Sequence, residues 1–467
     1  MSEARWSDLF TRALLPRVML VCFGIWLNAA DSLVTVTIMP SVVRAIGGYA
    51  YFAWPVAAYL LGSIMGGATA GYFAHTRGLR AALIAASIPY ILGCAMSAVA
   101  DTMALFLIGR LLQGLAAGAI VGLCYVATSV LFPPTHYRRI MAALSAVWGI
   151  ATLLGPLLGG LFAKGSEWHI VFWMFAAQGV VFAAAIVALV PNADASDETK
   201  IPARTLALLT VAVIANLIAG VAGNLALSAA LVVTTIAFLF LALRADAGAK
   251  AHLFPRGVAD PRNLAGQGYI AIFLLNGSTI GYGLYGAAIL QTAYGLSPLY
   301  AGYVVGAEAM GWTLTALFVA ELPHTSEGFW IRAGAVVAVA GIASMIFTLS
   351  SGVLAAVIVS ALLLGGGFGM FWAFLTRRIQ ELLPPSEKTH GAGAIPGVQM
   401  LSNAIGAAFC GLEANALGVG HGFTRENVLA AAVWLFACAV PAALAGLFFA
   451  WRIGGARMPE TAVVTAR

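Results

Sequence analysis

The chain has 467 residues, of which 61% are hydrophobic and only 9% are charged, so it lacks the polar side chains with which a soluble protein of this size covers its surface. Its mean hydropathy of +0.95 indicates a polytopic helical membrane protein. The formal net charge of +6 does not indicate a nucleic-acid partner, because the basic residues are spread over many short loops.

Apolar segments of about 20 residues, the length that crosses a bilayer as a helix, follow one another along the chain. Six precede the first polar linker: 17–43, 52–73, 81–99, 103–132, 140–162 and 170–190. Two more, 203–222 and 225–243, are joined by little more than Gly223 and Asn224. Six follow the second polar linker: 264–292, 300–320, 331–349, 353–375, 390–417 and 427–451. The pattern predicts 14 spans, and a count of 12 stays open if the central pair is not a full hairpin.

This order of segments predicts an all-α membrane protein in which two additional transmembrane helices separate two six-helix bundles. The bundles are expected at 1–190 and 263–467, and the additional helices in 191–262. The polar linkers at 191–200 and 244–262 flank these helices. Two bundles of six around a central linker are the layout of secondary transporters that are built from repeats and bind their substrate near the membrane midplane.

The positions of the basic residues predict that both termini are cytoplasmic. Alternating the spans from a cytoplasmic N-terminus leaves three basic residues outside: Arg44, Lys164 and Arg425. The cytoplasmic side then holds Arg5, Arg12, Arg17, Arg77, Arg80, Arg138, Arg139, Lys200, Arg204, Arg244, Lys250, Arg256, Arg262, Arg332, Arg377, Arg378, Lys388, Arg452, Arg457 and Arg467. This asymmetry follows the positive-inside rule for membrane proteins.

The first span carries Asp31 near its middle, where an ionised carboxylate costs about 2.5–3.5 kcal/mol on insertion scales. Arg110 in the fourth span, one turn from Gln113, is the best candidate to pair with it, since Arg keeps its charge. Asn28 and Thr35 share the Asp31 face of the first helix, and this polar face is expected to line a cavity. Gln113 is a further candidate for the cavity wall. A structural ion pair without a role in transport is the alternative interpretation of Asp31.

Small residues are repeated in the fourth and fifth spans. Gly114, Gly118 and Gly122 recur every fourth residue, which favours close approach of another helix.

In the fifth span, Gly155, Pro156, Gly159 and Gly160 combine missing side chains with a proline that permits a kink, which predicts a hinge on the outer side. Ordinary close packing of small residues is the alternative, and it does not exclude the hinge.

Several of these stretches form recognisable motifs. They are Asp31 to Pro40 in the first span, Gly71 to Arg80 after the second, Arg110-Leu111-Leu112-Gln113-Gly114 in the fourth and Trp148 to Gly160 in the fifth. At these stretches the chain resembles the major facilitator superfamily, and within it the drug:proton antiporters of the fourteen-span type. The C-terminal half resembles the family only in the layout of its spans.

The resemblance implies a proton-coupled exporter that works by alternating access. It assigns gating or hinge roles to Gly71, His75, Arg77, Gly78, Arg80, Gly155, Pro156, Gly159 and Gly160. The loop motif departs from the family at His75, where an Asp is usual. A neutral imidazole cannot supply a constant negative charge, so His75 is either a solvated loop residue or part of a pH-sensitive latch.

The second half offers a further acidic residue, Glu308, in the middle of a span. We expect it to be a second site for a proton or a cation, with a structural acid as the alternative. Polar and aromatic residues of this half are candidates for the wall of a substrate cavity: Asn276, Tyr282, Tyr285, Trp312, Trp372, Gln399 and Asn403.

The sequence contains no P-loop motif, which argues against an ATP-driven pump, and no histidine and cysteine spacing typical of a metal site. We therefore expect no cofactor other than the coupling proton, no metal and no enzymatic activity. The prediction is a monomeric multidrug-type exporter of lipophilic or cationic small molecules in the bacterial inner membrane. A proton-coupled transporter of one metabolite or lipid is the first alternative, and a non-transporting scaffold or sensor is the second.

Overall fold

The structure, a computed structural model, describes residues 11–12, 14–163, 167–192, 201–249, 252–320, 322 and 326–456. Most of the first predicted linker lies outside the described residues, since nothing is described between 193 and 200. The same holds for several basic residues of the topology prediction: Arg5, Lys164, Lys200, Lys250, Arg457 and Arg467.

The described part of the chain is helical, with 14 α-helices. They are α1 (Leu15–Ile46), α2 (Trp54–Arg77), α3 (Leu79–Ala98), α4 (Met103–Val130), α5 (Tyr137–Phe162), α6 (Trp168–Leu189), α7 (Ala203–Ala219), α8 (Leu225–Ala247), α9 (Leu264–Ala293), α10 (Pro298–Ala320), α11 (Glu327–Thr348), α12 (Leu354–Leu382), α13 (Lys388–Ala416) and α14 (Arg425–Gly455). Thirteen are long and apolar enough to cross a membrane, and the chain is a multi-pass membrane protein. The exception is α7, with 17 residues, so the number of crossings stays a prediction, as does the side on which the termini lie.

The chain divides into two compact units. The first comprises Met1–Ala203 with Ser297–Tyr303, and the second comprises Arg204–Leu296 with Val304–Arg467. Helices α1 to α6 therefore belong to the first unit, while α8, α9 and α11 to α14 belong to the second, together with nearly all of α7 and most of α10. The three-part division expected from the sequence stays a prediction.

Close helix packing in the first unit depends on the glycines of α4, as the sequence predicts. A Cβ atom added at Gly118 would lie 2.5 Å from the Cα atom of Ser63 in α2, and one at Gly122 would lie 2.6 Å from the Cβ atom of Ala70. Gly114 meets the backbone of Tyr59 in the same way. The glycine stripe thus brings the backbones of α4 and α2 together.

The stretch predicted as a loop after the second span is helical instead. Helix α2 continues through His75 to Arg77, α3 begins at Leu79, and only Gly78 joins them. Gly78 has φ +75°, a backbone conformation that glycine adopts without strain. A helix satisfies its backbone hydrogen bonds internally whether or not its side chains are apolar, so it can continue past the apolar segment. Hydropathy alone therefore does not reveal where the helix ends.

In the second unit, a glycine run in α12 permits three helices to pack closely. A Cβ at Gly367 would lie 2.6 Å from the Cα of Ala338 in α11, and one at Gly365 would collide with the backbone of Glu308 in α10. The hydroxyl of Thr315 donates to the carbonyl of Gly366 at 2.8 Å. This run therefore fixes the position of α10, the helix that carries Glu308.

Helices α7 and α8 form a hairpin within the second unit. Asn224 caps α8, since its side-chain oxygen accepts the backbone N–H groups of Ala226 and Leu227. Thr235 of α8 donates to the carbonyl of Ala212 in α7 at 3.2 Å. The amide of Asn216 in α7 donates to the carbonyl of Ile405 in α13 at 3.1 Å, so the hairpin is attached to α13.

Candidate functional site

Asp31 of α1 and Arg110 of α4 form a buried ion pair. The Nη1 atom of Arg110 lies 2.7 Å from the Oδ1 atom of Asp31, and the two side chains are 1% and 0% exposed. The sequence names these two residues as partners although 78 residues separate them. Their contact supplies the opposite charge that a carboxylate needs inside an apolar unit.

Neighbouring groups hold both members of the pair. Thr35, one turn along α1, donates its hydroxyl to Oδ1 of Asp31 at 3.2 Å. Arg110 also donates to Oε1 of Gln113 at 2.6 Å, and its guanidinium carbon lies 4.4 Å from the centre of the Tyr59 ring. The guanidinium therefore has an ionic, an amide and an aromatic partner, which fixes its position.

The polar residues expected to line a cavity surround the ion pair instead. Asn28, Thr35 and Gln113 are at most 3% exposed. The sequence does not reveal two residues that fill the space beside them: Tyr59 from α2, and Cys94 from α3, whose sulfur accepts a hydrogen bond from Gln113 at 3.1 Å. Helical periodicity identifies the shared face but not the side chains that cover it.

The ion pair leaves some of its hydrogen-bonding groups unused. Among the residues that the structure describes, Oδ2 of Asp31, Nε of Arg110 and Nδ2 of Asn28 have no hydrogen-bond partner. Asp31 is thus held through one oxygen only. A proton on the carboxyl would remove its charge and weaken the bond to Arg110.

The glycines of α5 pack against the helix that carries Asp31. A Cβ at Gly155 would lie 2.8 Å from the Cβ of Leu33, and one at Gly159 would lie 2.7 Å from the Cβ of Thr37. Helix α5 continues through Pro156 without a break. Gly155 and Gly159 are therefore in contact with the helix whose movement they would permit, whereas Gly160 meets Leu299 of α10. The hinge itself stays a prediction.

The predicted gating residues lie at the junction of α2 and α3. His75 and Arg77 occupy the last turn of α2 and are exposed, where the helix dipole favours cations. Arg80 is half-buried, and Gly71 has open space where a side chain would be. The structure brings these residues together, and their function in gating stays a prediction.

The second unit contains a cavity of about 190 Å³ beside Glu308. Its lining is Asn276, Thr279, Ile280, Gly283, Glu308, Trp312, Phe368, Gln399 and Asn403. Five of these were named from the sequence: Asn276, Glu308, Trp312, Gln399 and Asn403. They come from α9, α10 and α13, and Phe368 comes from α12.

The cavity presents one carboxyl group, several amides and an aromatic wall. Gln399 donates to Oδ1 of Asn276 at 3.2 Å, which joins α13 to α9. Trp312 stacks on Phe368 with ring centres 5.4 Å apart. Within the described part of the chain, no basic side chain pairs with Glu308. An acidic group beside an aromatic surface is suited to an organic cation.

Three aromatic candidates do not line this cavity. Tyr282 and Tyr285 are 0% and 2% exposed, and the hydroxyl of Tyr282 donates to the carbonyl of Val304 at 2.8 Å. They pack between helices because a buried tyrosine can satisfy its hydroxyl on a backbone carbonyl. Trp372 lies behind the wall, with its ring centre 5.5 Å from that of Trp312. Phe368 was missed, although its place in the α12 glycine run could have indicated a close helix contact.

Comparison with known proteins identifies the family of the chain. The family model described as Major Facilitator Superfamily matches residues 21–407. The chain belongs to the major facilitator superfamily. The stretch matched covers both the ion pair and the cavity, and the family and its fold are those of transporters rather than enzymes.

The relatives include efflux proteins. A probable multidrug-efflux transporter of Mycobacterium tuberculosis is 29% identical over 436 residues, which cover 88% of this chain and 89% of the relative. Multidrug resistance protein 3 of Bacillus subtilis is 30% identical over 151 residues, which cover 32% of this chain and 30% of that protein.

A solved structure shows the same fold at low sequence identity. It is that of a bacterial homologue of the human lysosomal transporter Spinster, with a TM-score of 0.68 and 11% identity over 94% of this chain and 96% of that chain.

Proposed function

We propose that this protein is a proton-coupled antiporter that exports lipophilic or cationic small molecules by alternating access. The observation that carries the proposal is the buried pair of Asp31 and Arg110, whose Nη1 and Oδ1 atoms are 2.7 Å apart. A charged pair inside a membrane protein costs desolvation energy, and such residues commonly mark ion or proton pathways.

Asp31 is the proton site in this proposal, and Arg110 is the permanently charged partner that ionised Asp31 binds and protonated Asp31 releases. Ionised Asp31 binds Arg110, whereas protonated Asp31 has no charge with which to hold it. Because Arg110 cannot give up its proton, the proton must move on and off the carboxyl group. Oδ2, which no described residue engages, is the oxygen that receives it.

Glu308 is the acidic group of the substrate site. It faces a cavity with the Trp312 and Phe368 rings and the amides of Asn276 and Gln399. When ionised, Glu308 favours a cation there, and when protonated it favours a neutral lipophilic molecule. Proton and cation would therefore compete for the same carboxyl group, which is the chemical basis of exchange.

The relatives support the direction of transport. The probable multidrug-efflux transporter of M. tuberculosis matches nearly the whole chain, and efflux is the activity in its name. We further propose a monomer in a bacterial inner membrane, with the bilayer and a small-molecule substrate as its partners and the proton as the only coupling group.

Purified protein in vesicles tests the coupling. With an acidic interior and an alkaline exterior, an antiporter should accumulate a fluorescent organic cation such as ethidium as protons leave. A symporter should require the opposite gradient, and a scaffold should move neither. Dissipating the gradient with a protonophore is the control.

Asp31→Asn should abolish gradient-driven accumulation while the protein remains folded, as judged by a single monodisperse peak in size-exclusion chromatography. Full transport by folded Asp31→Asn protein would refute the assignment of the proton site.

A further inference from the structure

The hairpin of α7 and α8 carries a buried amide directed at a wall of the cavity. Asn216 of α7 is 0% exposed, and its Nδ2 atom donates to the carbonyl of Ile405 in α13 at 3.1 Å. Gln399 and Asn403, which line the cavity, lie on the same helix as Ile405. A backbone carbonyl has two lone pairs, so Ile405 can accept this bond in addition to its helical one.

The hairpin and the cavity lie on different faces of α13. Ile405 follows Asn403 by two positions, a step that turns the helix by about 200° at 3.6 residues per turn. A third face packs on α9, where Ser402 donates to the carbonyl of Phe273 and a Cβ at Gly406 would lie 2.7 Å from the carbonyl oxygen of Gly277. The helix is therefore held by α9 on one face and by the hairpin on the face opposite the cavity.

Other contacts fix the same segment to α13 at both ends. Near the turn of the hairpin, Asn415 donates to the carbonyl of Gly220 at 2.8 Å. At the other end, Asp246 of α8 accepts the backbone N–H groups of Leu253 and Phe254, both at 2.8 Å. Buried Phe254 lies against Gly397, two residues before Gln399, where an added Cβ would be 3.7 Å from its ring. The segment thus follows α13 past the whole cavity wall.

The amide of Asn216 does more than fill space. Its Oδ1 atom has no hydrogen-bond partner among the residues that the structure describes. A buried polar atom without a partner destabilises a fold, and a leucine of similar volume would not carry that cost. Stability alone therefore does not account for an asparagine here, whereas the bond to Ile405 gives it a defined target.

We propose that Asn216 is a positioning residue for the substrate cavity: it fixes the α13 wall that carries Gln399 and Asn403. The inserted hairpin is then part of the transport machinery rather than a lipid-facing addition. This inference rests on the proposed function in taking the cavity as the substrate site. The contact itself can be tested without any substrate.

The variants are Asn216→Leu and, as the matched control, Thr235→Val. Each removes one buried side-chain hydrogen bond of the hairpin, but the bond of Thr235 goes to Ala212 within the hairpin and does not reach α13. The first measurement is hydrogen–deuterium exchange of peptides that cover residues 399–409 in the purified full-length protein. Asn216→Leu should speed exchange in these peptides, and Thr235→Val should leave it unchanged.

The second measurement is the concentration dependence of ethidium transport in vesicles. Loss of one net hydrogen bond changes an equilibrium by about threefold to tenfold, so Asn216→Leu should raise KM by that factor with little change in kcat. Thr235→Val should keep the KM of the native protein. A purely structural role would lower the yield or thermal stability of the variant without changing the KM of the folded fraction.

The outcomes separate this inference from the proposed function. Unchanged exchange in Asn216→Leu, or faster exchange with an unchanged KM, overturns the positioning role even if transport is proton-driven. A native protein that moves no cation under any gradient overturns the proposed function, and the exchange data then decide the hairpin contact alone. Faster exchange together with a raised KM supports both.

Discussion

A double-mutant cycle on Asp31 and Arg110 tests the ion pair quantitatively. At the 2.7 Å separation of their atoms, an effective dielectric constant of about 20 gives a gross attraction of about 6 kcal/mol. Desolvation of two buried ions offsets most of this, yet removal of one partner leaves an uncompensated charge and typically costs about 3–5 kcal/mol. Asp31→Asn should lower the free energy of unfolding by that amount, because Arg110 cannot become neutral.

Arg110→Met should be less harmful, because the remaining carboxyl group can take up a proton. The folded variant then binds more protons than the unfolded chain, so its stability should fall as pH rises, by at most about 1.4 kcal/mol per pH unit. The double variant Asp31→Asn/Arg110→Met carries no charge at this site and should be more stable than Asp31→Asn alone.

Chemical unfolding of the purified proteins in detergent, followed by circular dichroism at pH 5 and pH 8, measures these differences. A coupling energy of about 1–3 kcal/mol between the two positions is expected for residues in contact. If the double variant loses as much stability as the two single variants together, the two side chains do not stabilise each other. Equal costs for both single variants at both pH values would refute the argument that only the carboxyl group can become neutral.

Two further predictions concern the cavity and the fifth helix. Glu308→Gln keeps the shape of the cavity and removes its charge. It should weaken binding of ethidium more than tenfold and change the affinity for a neutral lipophilic substrate by no more than about twofold, as measured by isothermal titration calorimetry. Equal losses of affinity for both would mean that charge does not select the substrate. Gly159→Ala places a methyl group 2.7 Å from the Cβ atom of Thr37, so it should cost about 1–3 kcal/mol of stability and slow transport. Gly149→Ala is the control on the same helix: its methyl group meets nothing within 4 Å, so stability and transport should not change.

The helices and the ion pair could be predicted from the sequence for a physical reason. Inside a bilayer every backbone hydrogen bond must be satisfied within the chain, so an apolar segment of sufficient length is a helix. A charge in such a segment needs a partner, and Arg110 is the lysine or arginine that the sequence places well inside a span rather than at its end. These two constraints identify Asp31 and Arg110 as partners without any information on their distance.

The side chains that enclose each site could not be predicted in the same way. Tyr282 and Tyr285 have the residue type of a pocket wall, but their hydroxyl groups can be satisfied by packing between helices, and sequence does not say which environment they occupy. Tyr59 contacts Arg110, and Cys94 contacts Gln113, from parts of α2 and α3 that lie outside the recognised motif. Apolar composition also fails to indicate where a helix ends in water, which is why α2 extends through His75.

The environments of the two acidic residues differ, and we expect the residues to have different functions. Asp31 already has an arginine and a hydroxyl as partners and almost no exposed surface, so a substrate cation would have to displace Arg110 to reach it. Glu308 lies at an open cavity in the second unit, and no basic side chain pairs with it in the described part of the chain. Direct competition between proton and substrate is therefore expected at Glu308. Under the proposed function, we expect Asp31 to act by changing its bond to Arg110. The contacts of α1 with Gly155 and Gly159 of α5 are then the expected route by which that change reaches the neighbouring helix.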